Sequence, residues 1–318
     1  MHSYLNEWGQ FLYRSNAMGM NSTRGFHREI PVDLMKELTI CETLASPASP
    51  YVRALGYSKS YGAMLGDSLL ESGVLNPGAT ILEIGGGYGS LMEGLLSSHG
   101  ALVHRVFMMD LSPRLLKRQR QRLRDHSEKV AFIQADVHEM PVVRGSLDLI
   151  IVNEVIGDLD TATEIDPHDL PPDALSLVDA YGLDMPGEKP FNLNIGAIRM
   201  VEALCSFGVP VFISEHSSDP IIPDAMPYLA RGLSLDSFPR EIRLHAHSEY
   251  TIRFSHLVRV ARAQGRITRS GALVDMLGGE MLPCWRFVFS SRACSTDKQD
   301  LIYEFLDHVR EYRWLTIL

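Results

Sequence analysis

The chain has little of what marks secreted, membrane or nucleic-acid-binding proteins. It contains four scattered cysteines in 318 residues, and they show neither metal-binding spacing nor a disulfide framework. No apolar run reaches membrane-spanning length, and the first residues lack the basic and apolar regions of a signal peptide. The formal net charge of −9 supplies no large basic surface. We therefore expect a cytoplasmic protein with reduced thiols and with neither a membrane nor a nucleic acid as its partner.

The composition is otherwise that of an ordinary folded protein. Hydrophobic residues make up 45% of the chain and charged residues 22%, which is close to the average of globular domains. The length suits one large α/β domain with insertions, or a domain with a cap.

The most informative segment is residues 80–92, where a short apolar strand ends at Glu83 and a glycine-rich turn opens into a helix. In a doubly wound sheet, such a turn binds a nucleotide-like ligand at a helix N-terminus. Gly85 and Gly87 allow positive φ and a close approach of ligand to backbone. A carboxylate at this point repels a pyrophosphate but suits the cationic sulfonium and ammonium of S-adenosylmethionine. The segment therefore predicts an S-adenosylmethionine site.

Strand and helix patterns alternate from residue 80 onward. We expect helices near 90–98 and from Pro113 to Arg124, the second with Ser112 as its N-cap. This alternation predicts an α/β fold with a mainly parallel sheet, whose ligands bind at the carboxyl ends of the strands. The predicted strands are 80–84, 103–109, 130–134, 147–152 and 209–214.

Acidic residues follow the second and third of these strands. Asp110, with Leu111 beside it, stands where a carboxylate accepts hydrogen bonds from ribose hydroxyls. Asp136 is suited to accept from the adenine amine, while an adjacent main-chain N–H, that of Val137, serves the ring. Their order after the glycine-rich turn is what favours these roles.

Several segments carry a further pattern: 56–58, 64–66, 89–92, 95–96, 110–116 with Gln119, Gln121 and Leu123, Asn153-Glu154, 254–257 with 261–265, and 285–290. Together they resemble the MidA-like class I methyltransferases, over roughly residues 50–290. The resemblance implies a Rossmann-like, seven-stranded, mainly parallel sheet with helices on both faces and a reversed last strand, which would be 285–290. It also implies that some members methylate an arginine on a respiratory complex I subunit and help assemble that complex. Tyr57 and Ser58 of the first segment are expected at the cofactor site, with simple packing equally open for Tyr57.

Three departures from that family concern the acceptor. Residues 155–157, Val-Ile-Gly, replace two aromatics and an aspartate, and Asp158 comes one residue later. Lys59-Ser60 replaces Pro-Glu, and 215–217, Glu-His-Ser, replaces Asp-Tyr-Gly. The cofactor chemistry is therefore expected to be kept while the acceptor differs.

Candidate catalytic residues follow the fourth and fifth strands. Glu154, with Asn153, lies beside the expected methyl position and can orient a cationic nitrogen and help its proton leave. Glu215 and His216 are alternatives, with simple solvation in a loop equally open. We predict N-methylation of an arginine or other amine on a protein, peptide or small molecule. Open alternatives are a biosynthetic methyltransferase acting on O or C, a non-catalytic S-adenosylmethionine-binding assembly factor and, more weakly, an NAD module.

A metal site is not expected. His245 and His247 with Glu249 place two imidazoles on one face of a strand, but no third ligand stands at a diagnostic spacing. The basic run 117–122 predicts a solvated helix face rather than a nucleic-acid patch.

The domain organisation predicted from these patterns has three parts. Residues 1–75 form a helical cap, 76–290 the S-adenosylmethionine-binding domain, and 291–318 a C-terminal helix. The insertion at 158–190 is expected to act as a lid or specificity element, and a second insertion at 218–248 is expected to help build the acceptor pocket. An amphipathic helix predicted over 299–315 would serve packing or homodimer formation.

Overall fold

The computed structural model describes residues 19–30, 34, 38–141, 145–277, 283–292 and 294–318. The strands are β1 (Met20–Asn21), β2 (Ala79–Ile84), β3 (Val103–Asp110), β4 (Val130–Gln134), β5 (Leu149–Asn153), β6 (Thr161–Ile165), β7 (Phe191–Leu193), β8 (Val211–His216), β9 (Glu241–Arg243), β10 (Ser248–Tyr250), β11 (Thr268–Ala272) and β12 (Tyr312–Ile317). The helices are α1 (Arg24–Glu29), α2 (Ile40–Thr43), α3 (Pro50–Leu55), α4 (Tyr61–Glu71), α5 (Ser90–His99), α6 (Pro113–Arg122), α7 (Pro172–Tyr181), α8 (Ile195–Cys205), α9 (Phe254–Ala263), α10 (Leu273–Met276), α11 (Pro283–Ser291) and α12 (Asp297–Val309).

The central element is a seven-stranded sheet in the order β11-β12-β8-β5-β2-β3-β4. The pairings from β8 to β4 are parallel, whereas β12 runs antiparallel to both β8 and β11. The prediction of a mainly parallel, seven-stranded sheet with one reversed strand is confirmed. All five strands predicted from 80 to 214 are present, and the Ser112 side chain caps α6 by accepting from Leu115 N at 3.4 Å.

The side chains of the buried strands alternate between two hydrophobic cores, as the two-residue period of a strand requires. Ile81 packs into one core with side chains of α4, α5 and α12. Leu82 packs into the other core with side chains of α7, α8 and α9. Covering both faces in this way leaves the carboxyl ends of the parallel strands as the place for a ligand.

The position of the reversed strand differs from the prediction. The prediction of a last strand at 285–290 was wrong, and so was the prediction that the terminal helix extends to residue 315. Residues 283–291 are helical, because Trp285, Val288 and Phe289 are buried at i, i+3 and i+4 while Phe287 is exposed. The terminal helix ends at Val309, and the reversed strand follows it as β12. The sheet therefore extends to residue 317, beyond the predicted domain boundary at 290.

The N-terminal segment and the first insertion form a small sheet of their own. Its order is β1-β6-β7, and Met20 pairs with Ala162 in the antiparallel β1–β6 contact. The first insertion, 158–190, thus contains a strand and a helix of its own. The second insertion contributes β9 and pairs it antiparallel with β10. Among the described residues, no helix combines the length and apolar character needed to cross a membrane.

Candidate cofactor and acceptor site

The glycine-rich turn after β2 opens onto a cavity of about 1090 Å³, a volume that includes its open mouth. Gly85 and Gly87 have φ of 67° and 51°. A Cβ on Gly85 would lie 2.4 Å from Val155 Cγ2, and one on Gly87 would lie 3.0 Å from Leu34 Cδ1. Both positions therefore favour glycine for backbone conformation, and Gly85 requires it for space as well.

Glu83 is a buried carboxyl on the wall of this cavity. Its Oε2 atom has no hydrogen-bond partner among the described residues. Burial, with the nearby charge of Asp110, raises the pKa of Glu83 to about 8. A cationic ligand group in the cavity would favour the ionised carboxylate, so this acid fits the positive charges of S-adenosylmethionine.

Asp110 ends β3 in a buried position on the same cavity. It accepts hydrogen bonds from Ser112 N at 2.8 Å and from Gln119 Nε2 at 2.9 Å. The Gln119 amide also donates to Gly87 O at 3.1 Å, which joins the acid to the glycine-rich turn. Burial raises the pKa of Asp110 to about 6. Sequence reasoning found Asp110 but assigned no role to Gln119, whose contacts depend on the tertiary fold.

Asp136, which follows β4, also lines the cavity. Its Oδ2 atom lies 3.0 Å from Arg24 Nε and 3.3 Å from Arg28 Nη2, and its Oδ1 atom accepts from His138 N. Helix α1 is therefore held over the carboxylate that the sequence predicts to read adenine. The neighbouring predicted residues Leu111 and Val137 line the same cavity.

Glu154 lies just past β5 in the left-handed region, with φ of 55°. Its Oε1 atom accepts from Ile40 N at 2.8 Å and Tyr312 Oη at 2.6 Å. Its Oε2 atom accepts from Cys41 N at 3.2 Å and Asn153 Nδ2 at 3.1 Å. These bonds use the lone pairs of both oxygens. Burial raises the pKa of Glu154, while the same hydrogen bonds favour the ionised carboxylate. Glu154 lines the cavity while anchoring α2 to β5 and β12.

Asn153 is held from both sides. Its Oδ1 accepts from Tyr61 Oη at 2.6 Å and also from the Ser214 hydroxyl. Its Nδ2 lies 3.1 Å from Cys41 Sγ. The side chain is buried at the edge of the cavity.

Glu215 and His216 do not line this cavity. Glu215 accepts from His216 N at 2.9 Å and from Gly157 N at 3.4 Å, and burial followed by the Glu154 charge raises its pKa to about 8. His216 borders a second cavity with His308, and its ring centroid lies 4.1 Å from that of Tyr312. Burial lowers the pKa of His216 to about 4.

Tyr57 and Ser58 also lie away from the cavity lining. Tyr57 packs edge-on against Trp285 with ring centroids 6.1 Å apart. Ser58 is exposed. These positions leave the predicted cofactor role of the segment as a hypothesis.

A cluster of two imidazoles and two carboxyls, which was not predicted from the sequence, borders the cavity at Asp158. Its Oδ1 atom lies 2.9 Å from His27 Nε2 and 3.4 Å from His247 Nε2, and Glu249 Oε1 is 3.2 Å from His247 Nε2. Burial would raise the pKa of Asp158, but the His27 charge and both imidazole hydrogen bonds hold it below its usual range. Burial would lower the pKa of His247, but its bonds to the two carboxyls raise it to about 10. The other histidine of the predicted pair, His245, is exposed.

Comparison with known proteins agrees with this geometry. Residues 81–164 match a family model described as a methyltransferase domain. A mitochondrial ribosomal RNA small subunit methyltransferase from Arabidopsis thaliana is 28% identical over 135 residues, which cover 41% of this chain and 31% of that protein. A probable ribosomal RNA small subunit methyltransferase A from Methanococcoides burtonii is 34% identical over 93 residues, 29% of this chain and 30% of that protein. The chain thus spans about a third of the length of these relatives.

A solved structure shows the same fold over most of the chain. It is a likely methyl transferase from Burkholderia thailandensis bound to S-adenosyl-homocysteine, with a TM-score of 0.52, 17% identity, and coverage of 88% of this chain and 78% of that one. The resemblance to MidA-like proteins is confirmed at the level of the fold. The chain therefore contains a methyltransferase domain within a class I methyltransferase fold, the fold of enzymes that take a methyl group from S-adenosylmethionine.

Proposed function

We propose that the enzyme methylates a nitrogen, on an arginine or another amine of a protein, peptide or small molecule. The observation that carries this proposal is Asp160. Asp160 lines the cavity and is partly exposed, and its carboxylate makes no hydrogen bond or ion pair with a described residue. Such an acid is free to bind a cationic nitrogen.

The order of the strands favours the side of the cavity on which Asp160 lies as the location of the acceptor. Strands β3 and β4, which carry the predicted ribose and adenine acids, lie on one side of β2, and β5 lies on the other. The methyl-bearing end of the cofactor is then expected on the side of β5. Three acids follow β5 on this side: Glu154, Asp158 and Asp160. Glu154 accepts hydrogen bonds from backbone and side-chain donors, and Asp158 contacts two imidazoles. The Asp160 carboxylate contacts no described side chain through a hydrogen bond or ion pair.

Different residues of the chain contact the cofactor and the methyl acceptor. Bound S-adenosylmethionine supplies a methyl group activated by its sulfonium. Gly85 and Gly87 let a ligand approach the backbone, and Glu83 offsets its positive charge. Asp160 orients the acceptor nitrogen and takes its proton, so that a lone pair is directed along the line of displacement. Helix α1 over the cavity limits the entry of water.

Two other functions are weighed against this one. The named activity of the curated relatives is on ribosomal RNA, but a net charge of −9 does not favour a polyanionic acceptor. A non-catalytic assembly factor would not need a free carboxylate at this position. A methyltransferase acting on O or C could use it as a base, but only a cationic nitrogen would also gain a charge-assisted hydrogen bond from it.

The test offers methyl-labelled S-adenosylmethionine to the full chain with arginine-containing peptides, aliphatic amines, phenols or small-subunit ribosomal RNA. We expect label on an amine or guanidine nitrogen. Asp160→Asn should lower kcat/KM by roughly tenfold to a hundredfold while the cofactor Kd stays unchanged. The control Asp166→Asn, an exposed acid in the same insertion, should behave as wild type.

Each other outcome contradicts the proposal in a distinct way. Label on oxygen or carbon would favour the small-molecule alternative, and label on RNA would favour the activity named for the relatives. Cofactor binding without transfer to any acceptor would favour an assembly factor. Full activity of Asp160→Asn on an amine would remove Asp160 from the acceptor site.

A further inference from the structure

We propose that His27, Asp158 and His247 form a binding site for a divalent first-row transition-metal ion, with Glu249 as a further ligand. The three residues come from α1, from the turn after β5 and from the connection between β9 and β10. Their ligand atoms all lie within 4.8 Å of one another. This inference does not depend on the identity of the methyl acceptor.

The spacings from the Asp158 oxygen to the two imidazole nitrogens are those of neighbouring ligands in a coordination shell. Ligands about 2.0–2.1 Å from an ion are separated by about 3.0 Å at right angles and about 3.3 Å at tetrahedral angles. The distance from His27 Nε2 to Asp158 Oδ1 is 2.9 Å, and that from His247 Nε2 to the same oxygen is 3.4 Å. An ion would therefore replace the shared protons with little movement of the side chains.

Glu249 gives the site a second carboxylate. Its Oε1 atom lies 3.2 Å from His247 Nε2, and its side chain is 22% exposed. Two imidazoles with two carboxylates suit Zn²⁺, Mn²⁺, Fe²⁺ or Co²⁺ rather than soft ions that prefer thiolates. The charge of the ion would also be balanced by the two acids.

His247 turns its Nε2 atom toward the two carboxyls and leaves its Nδ1 atom without a described partner. Its side chain is only 6% exposed, and the ring of Phe26 stacks on it with centroids 4.3 Å apart. Its Nδ1 atom is buried without a hydrogen-bond partner among the described residues. An ion bound through Nε2 would take the place of the proton that lies between the ring and the two carboxyls. The buried Nδ1 would then belong to a neutral imidazole rather than to a cation.

An ion at this point would join elements that are distant in the chain. It would fix α1 and the β9–β10 connection to the turn that follows β5. Because His27 and Asp158 also line the cofactor cavity, the ion would lie in the cavity wall. Metal binding should therefore raise the stability of the folded chain in proportion to the logarithm of the ion concentration.

The experiment titrates Co²⁺ and Zn²⁺ into the full chain after chelator treatment, followed by calorimetry and by the visible absorption of Co²⁺. We expect one ion per chain and a rise in Tm. His247→Ala and His27→Ala should each weaken binding at least tenfold. His245→Ala is the matched control, because this histidine lies two positions from His247 and is exposed; it should bind the ion as wild type does.

Folding of the variants is verified by far-UV circular dichroism and by S-adenosylhomocysteine binding, and Asp158→Asn serves as an isosteric second variant. The proposal is overturned if the wild-type chain binds no stoichiometric ion. It is equally overturned if folded His247→Ala or Asp158→Asn keeps the wild-type Co²⁺ spectrum, or if His245→Ala loses the ion as completely as His247→Ala.

Discussion

Gly85 meets two separate constraints at the cofactor turn. Its backbone has φ of 67°, and a Cβ would lie 2.4 Å from Val155 Cγ2. We predict that Gly85→Ala raises the Kd for S-adenosylmethionine at least tenfold, because either the turn or Val155 must move out of place. Calorimetric titration of the variant measures this change.

Gly78 provides a control in which backbone strain occurs without a steric contact. Gly78 has φ of 82° with nothing within 4 Å of an added Cβ. Gly78→Ala should cost about 1–2 kcal/mol of stability from backbone strain alone and leave the cofactor Kd unchanged. Adding Val155→Ala to Gly85→Ala should recover part of the lost affinity. Wild-type affinity in Gly85→Ala would show that the turn does not bind the cofactor.

Single residues with local signals were the easiest to predict. Gly85, Gly87 and Asp110 follow predicted strands directly, and backbone stereochemistry and strand polarity suffice to place them at one edge of the sheet. The contacts of Gln119 had no such signal, because they depend on how α6 packs beside the turn.

At the scale of elements, Glu154 connects β5 with α2 and with β12. Its carboxylate accepts from Ile40 N, Cys41 N and Tyr312 Oη as well as from Asn153. In Glu154→Gln, one oxygen becomes an amide donor that faces other donors. We predict a loss of about 1–3 kcal/mol in the free energy of unfolding, together with weaker cofactor binding, measured by denaturant titration and calorimetry.

The control for Glu154→Gln is Glu304→Gln. Glu304 is an exposed acid of α12 whose carboxylate accepts from the Tyr51 hydroxyl, so its loss should change stability by less than about 1 kcal/mol. If Glu154→Gln is as stable as wild type, keeps its cofactor affinity and loses turnover alone, the anchoring role is wrong and a catalytic role for this acid is favoured.

Elements were predictable where their hydrophobic period was clear. Strands β2, β3, β4, β5 and β8 were found from short apolar runs between turn residues, whereas β6 and β7 within the first insertion were not predicted. The apolar run at 285–290 was taken for a strand, yet its buried residues follow the helical period, and β12 was hidden at the end of a helical pattern. Contacts between distant segments, such as Arg24 with Asp136 or His27 with Asp158, leave no trace in local periodicity.

At the scale of the whole molecule, buried titratable groups set the dependence of stability on pH. Burial raises the pKa of Glu83 and Glu215 to about 8, so each holds a proton in the folded state that the unfolded chain has released above about pH 4.5. Their contribution to stability is therefore lost as pH rises toward 8. Burial lowers the pKa of His216 to about 4 and that of His308 to about 3, so their contribution is lost as pH falls below 6.5.

These effects oppose each other between pH 4.5 and 6.5, where the gain from the two histidines offsets part of the loss from the buried acids. Between pH 6.5 and 8 the loss from the acids is no longer compensated. We predict that the free energy of unfolding of the cofactor-free, metal-free chain falls across this second window, by about 1.4 kcal/mol per pH unit for each acid. Denaturant titrations at several pH values measure the slope.

Glu215→Gln provides the matched variant for this slope. The amide cannot titrate, so the fall in stability between pH 6.5 and 8 should be less steep than in the wild type by about 1.4 kcal/mol per pH unit. The variant also loses an acceptor for Gly157 N or His216 N and should be less stable at every pH. An unchanged slope would mean that Glu215 is already ionised at pH 6.5. It would then carry a buried charge beside Glu154, and the hydrogen bonds from the two backbone N–H groups would have to outweigh both its burial and that repulsion.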